Sequence, residues 1–262
     1  MSPIFIAFAL SLLFTAILWG SGIAPYSREF STPPRRLAAF ILWVSVLALV
    51  VFLPAASYET GDSFAPSAEE FPLLFVGHAL LAVFLVLWWR LEGRETLPAF
   101  LYLERTTDML RSRALLGLVG GLAAWAATVI AVGTVGSIWI KLRPSEALVE
   151  IPPALFWFVE LSAAQKATVV VVAMTVEEAF FRAFLQPRLG LVLSSICFAA
   201  SHLSYGMPLL VVGVFTVSLF LGWLFHRTRH LLPSMIAHGT FDAVQLFLVL
   251  PWALEHVASG SQ

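Results

Sequence analysis

Apolar residues fall along this chain in long blocks, separated by short stretches where charge, proline and glycine gather. A helix that crosses a membrane needs roughly 20 mostly apolar residues. About eight blocks approach that length, at roughly 3–24, 37–56, 71–89, 114–140, 167–186, 190–205, 207–225 and 231–252. The fourth is long and is expected to tilt or end early; the sixth is short and needs cover from its neighbours. The pattern predicts an all-α fold, a polytopic transmembrane helix bundle of about eight helices with its polar cavity inside the membrane. Proline and glycine sit mainly at predicted helix ends, as at Pro187, Gly190, Pro208 and Pro233. There is no internal repeat and no low-complexity tract. Residues 1–140 read as N-terminal helices 1–4 of unassigned role. Residues 141–262 read as an interfacial loop followed by helices 5–8, the whole forming one integral membrane domain.

Composition removes the alternative of a water-soluble globule. Of 262 residues, 60% are hydrophobic and only 12% charged, with 22 Phe and 9 Trp, and the mean hydropathy is +0.90. Soluble domains carry ~25% charged residues. A formal net charge of -1 gives no pull toward nucleic acid, and the single Cys197 excludes an intramolecular disulfide or a multi-cysteine metal cluster. The first block lacks a basic leader and is long for a signal peptide, so a retained helix is expected.

Loop charges orient the bundle. Arg28, Arg35 and Arg36 follow the first block, and Arg90, Arg94, Arg105, Arg111 and Arg113 follow the third. Arg188 follows the fifth, and Arg227 and Arg229 the seventh, so these loops hold eleven of the 15 basic residues. The second loop instead holds Glu59, Asp62, Glu69 and Glu70. The positive-inside rule places the Arg-rich loops in the cytoplasm and both termini outside. Lys141, Arg143 and Lys166 run against that pattern. The stretch between them, with Pro144, Pro152 and Pro153 and ending at Glu160, is expected to lie along the interface as a short helix.

Each charged side chain at the centre of a spanning helix costs about 2.5–3.5 kcal/mol on insertion scales, so such residues mark function by default. They concentrate in three late helices. The fifth carries Val-Glu-Glu-Ala-Phe-Phe-Arg, with Glu177, Glu178 and Arg182. Glu178 and Arg182 share a face at i,i+4, which suits an ion pair, while Glu177 points about 100° away toward something else. The sixth carries Phe198 and His202 on one face, and the eighth carries His238 and Asp242 at i,i+4. Counted from Arg188 and Arg229, these groups reach a shared depth of roughly 14–21 Å, as a common polar cavity requires. Purely structural packing is the bland alternative for each. His78, with no polar neighbour in its own helix, reads as a packed histidine, and His226, His230 and His256 read as loop or end residues. Ser201 adjoins His202 on a helix and does not face it, so it is discounted as a nucleophile.

This inventory suits water activation. A carboxylate in a low-dielectric site serves as general base, and imidazoles stabilise the oxyanion of a tetrahedral intermediate. Glu177, His202 and His238 could instead hold a catalytic zinc, although no HExxH helix is present. The order Glu-Glu-xxx-Arg, Phe-xxx-His, His-xxx-(Asn/Asp) on successive late helices resembles the CPBP family. These are the CAAX-prenyl-protease and bacteriocin-processing intramembrane endopeptidases, also called the Abi family. The resemblance covers roughly residues 150–250. It implies Glu177 as general base, His202 as a holder of the water, and His238 with Asp242 as the oxyanion hole. Glu178, Arg182 and Phe198 become supporting residues. It implies a metal-free glutamic protease with no cofactor, a membrane-anchored protein or peptide substrate, no nucleic-acid partner and a bacterial inner-membrane location.

One departure stands out. The prenyl-protease branch usually has Asn where this chain has Asp242. An ionised Asp repels an oxyanion, so Asp242 is read as protonated, as orienting His238, or as contacting a cation. Two other classes use such clusters. A transporter or proton relay would favour repeats and broken helices, and a non-catalytic membrane scaffold would need no general base.

Overall fold

Lipid offers no partner to a backbone N–H or C=O, so apolar blocks of this length close their hydrogen bonds internally. The computed structural model describes residues 2–23, 30–57, 68–93, 96–104, 109–143 and 153–260, and the described residues contain helices and no strand. The loop residues Arg28, Glu59, Asp62, Arg94, Arg105, Pro144 and Pro152 lie outside the described residues, as does the side chain of Glu69.

Helix α1 is Pro3–Gly20 and α2 is Pro33–Ala56, the latter passing through a π turn at Leu47–Phe52. Ser11 Oγ donates to the Val44 carbonyl (2.8 Å) and Trp43 Nε1 to Thr15 Oγ1 (3.2 Å), stitching the two together. A 3₁₀ segment, Ala68–Phe75, leads into α3, Val76–Glu92. Helix α4 is Leu110–Leu142, and α5 is the short Pro153–Glu160. Helix α6, Ala163–Glu178, opens on a Ser162/Gln165 capping box and continues as a π helix over Ala179–Leu185. Helix α7 is Gln186–Ala200, α8 is Pro208–Thr228, and α9 is Leu231–Val244. A π turn at Gln245–Val249 joins α9 to α10, Leu250–Gly260.

The protein is thus an all-α polytopic bundle. Among the described residues, six stretches are long and apolar enough to cross a membrane: Pro3–Gly20, Pro33–Ala56, Glu70–Glu92, Leu110–Leu142, Pro208–Thr228 and Leu231–His256. The count of eight is not reproduced by that measure. The fifth and sixth expected blocks are helical, but α6 carries Lys166, Glu177 and Glu178, and α7 is broken at Gly190. Gly190 has φ 80° and ψ 172°, a backbone region that glycine alone occupies freely, and it makes the turn between them. Beyond it the helix runs only to Ala200, about 15 Å of rise, so the sixth block is shorter than the expected 190–205. His202 lies in the turn past its end.

The expected short helix ending at Glu160 is α5. Its Trp157 and Phe158, with Leu161, pack on Phe71 and Leu74 ahead of α3 and on Leu246 and Leu250 after α9. The main core joins the two halves of the chain: Trp43, Phe84 and Trp88 meet Phe180 and Phe184 of the π segment. Between helices in lipid there is little hydrophobic drive, and small residues let backbones approach. Gly121 of α4 is the clearest case, since a Cβ there would stand 2.5 Å from the Ala237 carbonyl of α9.

Candidate active site

The polar groups of α6, α7 and α9 converge, and α3 joins them. Glu178 and Arg182 have no exposed side-chain surface and pair as the i,i+4 spacing requires, Arg182 Nε lying 3.3 Å from Glu178 Oε2. Arg182 Nη2 donates to Ser218 Oγ of α8 at 3.1 Å, and its guanidinium lies 5.1 Å from the Phe198 ring centre. The other oxygen of Glu178 faces His238 Nδ1 at 3.1 Å. A paired carboxylate accepts, so Nδ1 carries the hydrogen of that bond. Glu178 therefore fixes the rotamer and one tautomeric position of His238 across the α6–α9 contact.

The second ring nitrogen of His238 looks into the open part of the cluster. Nε2 stands 3.4 Å from Asp242 Oδ2 and 4.0 Å from Glu177 Oε2. The expected His238–Asp242 face is present, and so is the divergence of Glu177 from Glu178. His202 is ordered differently. Its Nδ1 lies 2.8 Å from the Phe198 carbonyl, which can only accept, so Nδ1 bears the hydrogen of that bond. Against the expectation that the two do not meet, Ser201 Oγ lies 3.1 Å from that Nδ1, because His202 sits in the turn past α7; its own hydrogen goes to the Phe198 carbonyl at 2.7 Å. Phe198 stacks near both imidazoles, 4.8 Å from His202 and 5.9 Å from His238.

The residue that sequence reasoning missed is His78. Its own helix offers no polar neighbour, so spacing alone makes it a packed histidine. Its Nε2 lies 2.9 Å from Glu177 Oε1. The missing signal was depth: His78 lies 14 residues before Glu92, about 21 Å along the axis, within the range counted for the polar groups of the late helices.

Exposure distinguishes the two carboxylates of the first motif. Glu178 is sealed, whereas Glu177 retains 13%, His78 19% and Asp242 22% of side-chain exposure. The reachable side of the cluster is therefore the Glu177 side. The cluster holds three carboxyls and one guanidinium, of which only Glu178 and Arg182 pair directly, so a neutral cluster needs hydrogens shared out among the imidazoles and carboxyls. Among the described residues, no three His, Cys, Asp or Glu side chains are placed as a ligand set for a metal ion.

Fold and site together define a polytopic membrane protein with a carboxyl–imidazole cluster held inside its bundle and open at Glu177. Residues 157–244, about a third of the chain, match the family model described as Rce1-like, type II CAAX prenyl endopeptidase. That stretch holds Glu177, Glu178, Arg182, Phe198, His202, His238 and Asp242, so the resemblance read from the three motifs is borne out there. A 69-residue stretch is 41% identical to the uncharacterized protein YpbD of Bacillus subtilis (strain 168), covering 26% of this chain and 36% of that protein. The chain thus covers about a third of the length of the curated relative it matches. No solved structure matches.

Proposed function

We propose that this protein is an intramembrane endopeptidase that cuts a membrane-associated protein or peptide with a water activated by Glu177. The observation that carries the reading is the contrast between the two neighbouring carboxylates. Glu178 is spent on Arg182 and His238, while Glu177 turns an oxygen toward His238 across 4.0 Å. Polar groups that face each other across more than 3.5 Å leave room for a bridging water. Glu177 Oε2 takes a proton from that water as its oxygen attacks the scissile carbonyl carbon. His202 holds the water, the role that the second motif implies for it. His238, with carboxyl oxygens facing both ring nitrogens, suits a hydrogen on each and stabilises the oxyanion. As the C–N bond breaks, the proton on Glu177 passes to the leaving amine. In the resting site the Nε2 hydrogen faces Asp242 Oδ2 at 3.4 Å, which orients His238, the second of the three roles open to Asp242; the same hydrogen turns to the oxyanion as it forms.

This route uses no metal, in line with the donor geometry: both His238 nitrogens and His202 Nδ1 already face protein acceptors. Cleavage is then insensitive to chelators, and loss of activity in EDTA or phenanthroline would return zinc to the site. The loop charges orient the protein with the Arg188 turn in the cytoplasm and both termini outside, in the inner membrane of a bacterial cell. Residues 1–140 supply scaffold and residues 141–262 the catalytic core of one domain.

The test compares protein termini in cells carrying the wild-type chain and Glu177→Gln at equal expression. Termini that disappear with Glu177→Gln support a protease and name its substrate. If cleavage persists unchanged in Glu177→Gln, the mechanism is wrong. If no terminus depends on Glu177, the scaffold and transport readings take precedence.

A further inference from the structure

Glu177 is held from outside the matched region. His78 comes from α3, 79 residues before the match begins at residue 157, and its Nε2 binds Oε1 of Glu177 at 2.9 Å. The two carboxylate oxygens are thereby made unequal. Oε1 is occupied by His78, and Oε2 is the one facing His238 at 4.0 Å. The terminal torsion of a glutamate is broad and nearly two-fold, so without a partner on Oε1 the carboxylate would present either oxygen at a range of angles.

Helix α3 is fixed against the catalytic segment along its whole length. Below His78, Phe84 meets Phe180 and Phe184 edge-on at 5.6 and 4.9 Å, and Trp88 meets Phe184 at 4.9 Å. At the far end Arg188 Nη2 lies 2.9 Å from Glu92 Oε1, which also accepts from Trp88 Nε1 at 2.7 Å. The Arg188 guanidinium stacks 4.1 Å from the Phe184 ring centre. An axial slip of one turn, about 5.4 Å, would break the ion pair and withdraw His78 together. The aromatic seam and the ion pair thus hold His78 at the height of Glu177.

We infer that His78 is a positioning residue of the catalytic site: through its bond to Oε1 it selects Oε2 of Glu177 as the oxygen that meets the water, and makes α3 part of the active centre. The inference rests on the protease reading. Glutamine at position 78 still offers an N–H to Oε1, whereas alanine offers none.

The experiment uses the full chain reconstituted in phosphatidylcholine/phosphatidylglycerol vesicles, with a peptide spanning the Glu177-dependent cut found by terminus mapping. His78→Ala is expected to lower kcat about 100-fold, the scale of a misplaced general base, with KM held within about twofold. His78→Gln is expected to recover at least about a tenth of the wild-type kcat. Wild-type turnover in His78→Ala, or equal losses in the Ala and Gln variants, overturns the inference. A wild-type chain with no Glu177-dependent cut overturns the protease reading and the inference with it.

Should His78→Ala not fold, ¹⁵N-histidine spectra of the wild type and Glu177→Gln decide. A moved His78 Nε2 resonance supports the contact, and an unmoved one overturns it.

Discussion

Arg182 and Glu178 face each other with no exposed surface, in a bundle that supplies no bulk water to either charge. Removing one partner strands the other. Arg182→Leu is expected to cost about 3–5 kcal/mol, read as a lower unfolding temperature in detergent. Glu178→Gln keeps an acceptor for His238 and is expected to cost less. At Asp242, a neutral isostere keeps the reach to His238 Nε2 and removes a charge facing the oxyanion. Asp242→Asn should therefore retain cleavage within about tenfold, while Asp242→Leu loses about 100-fold; steady-state rates on the mapped peptide check both. These residues were legible one by one because a charge in an apolar block is conspicuous. The pairing of Glu178 with Arg182, and the turning away of Glu177, followed from 100° per residue. His78 was hard to read: its partner lies 99 positions away, so spacing within one helix is silent and only a count of depth connects them.

At the scale of elements, helix α9 carries His238 and Asp242 and owes its place to what lies behind it. Gly121 of α4 allows the Ala237 backbone to come close, on the face next to His238. Gly121→Val is expected to cost about 1–3 kcal/mol by overpacking and to lower cleavage as α9 is pushed aside; thermal unfolding beside activity measures both. The blocks themselves, and the short helix α5, were readable from apolar length and proline. The end of α7 at Ala200 was not, because His202 (φ -106°, ψ 4°) and Gly206 (φ 74°) turn the chain away by backbone angles, to which hydropathy is blind. Nor were the π stretches at Leu47–Phe52, Ala179–Leu185 and Gln245–Val249 readable. Their i→i+5 bonds require no composition distinct from an α-helix, although such bulges gather at functional sites, and here one contains Arg182 and another follows Asp242.

For the whole molecule, the N-terminal and C-terminal halves share a core and are tied by the Glu92–Arg188 ion pair. Glu92→Ala is expected to lower stability by about 2 kcal/mol, since Arg188 and Trp88 Nε1 both lose a charged acceptor. It should also reduce cleavage by loosening α3, so unfolding and turnover should fall together. Sequence alone determined the class of solvent the chain lives in, the helical character of its blocks, and the three motifs that the family match covers. Those properties are local: apolar length and helical spacing decide them before any two helices meet. Tertiary structure decided which groups touch: His78 on Glu177, Glu178 on His238, and α3 registered by aromatic rings and an ion pair. A bilayer drives each helix to form but does little to choose its neighbours. That choice falls to close packing at small residues and to the need of every buried charge for a partner.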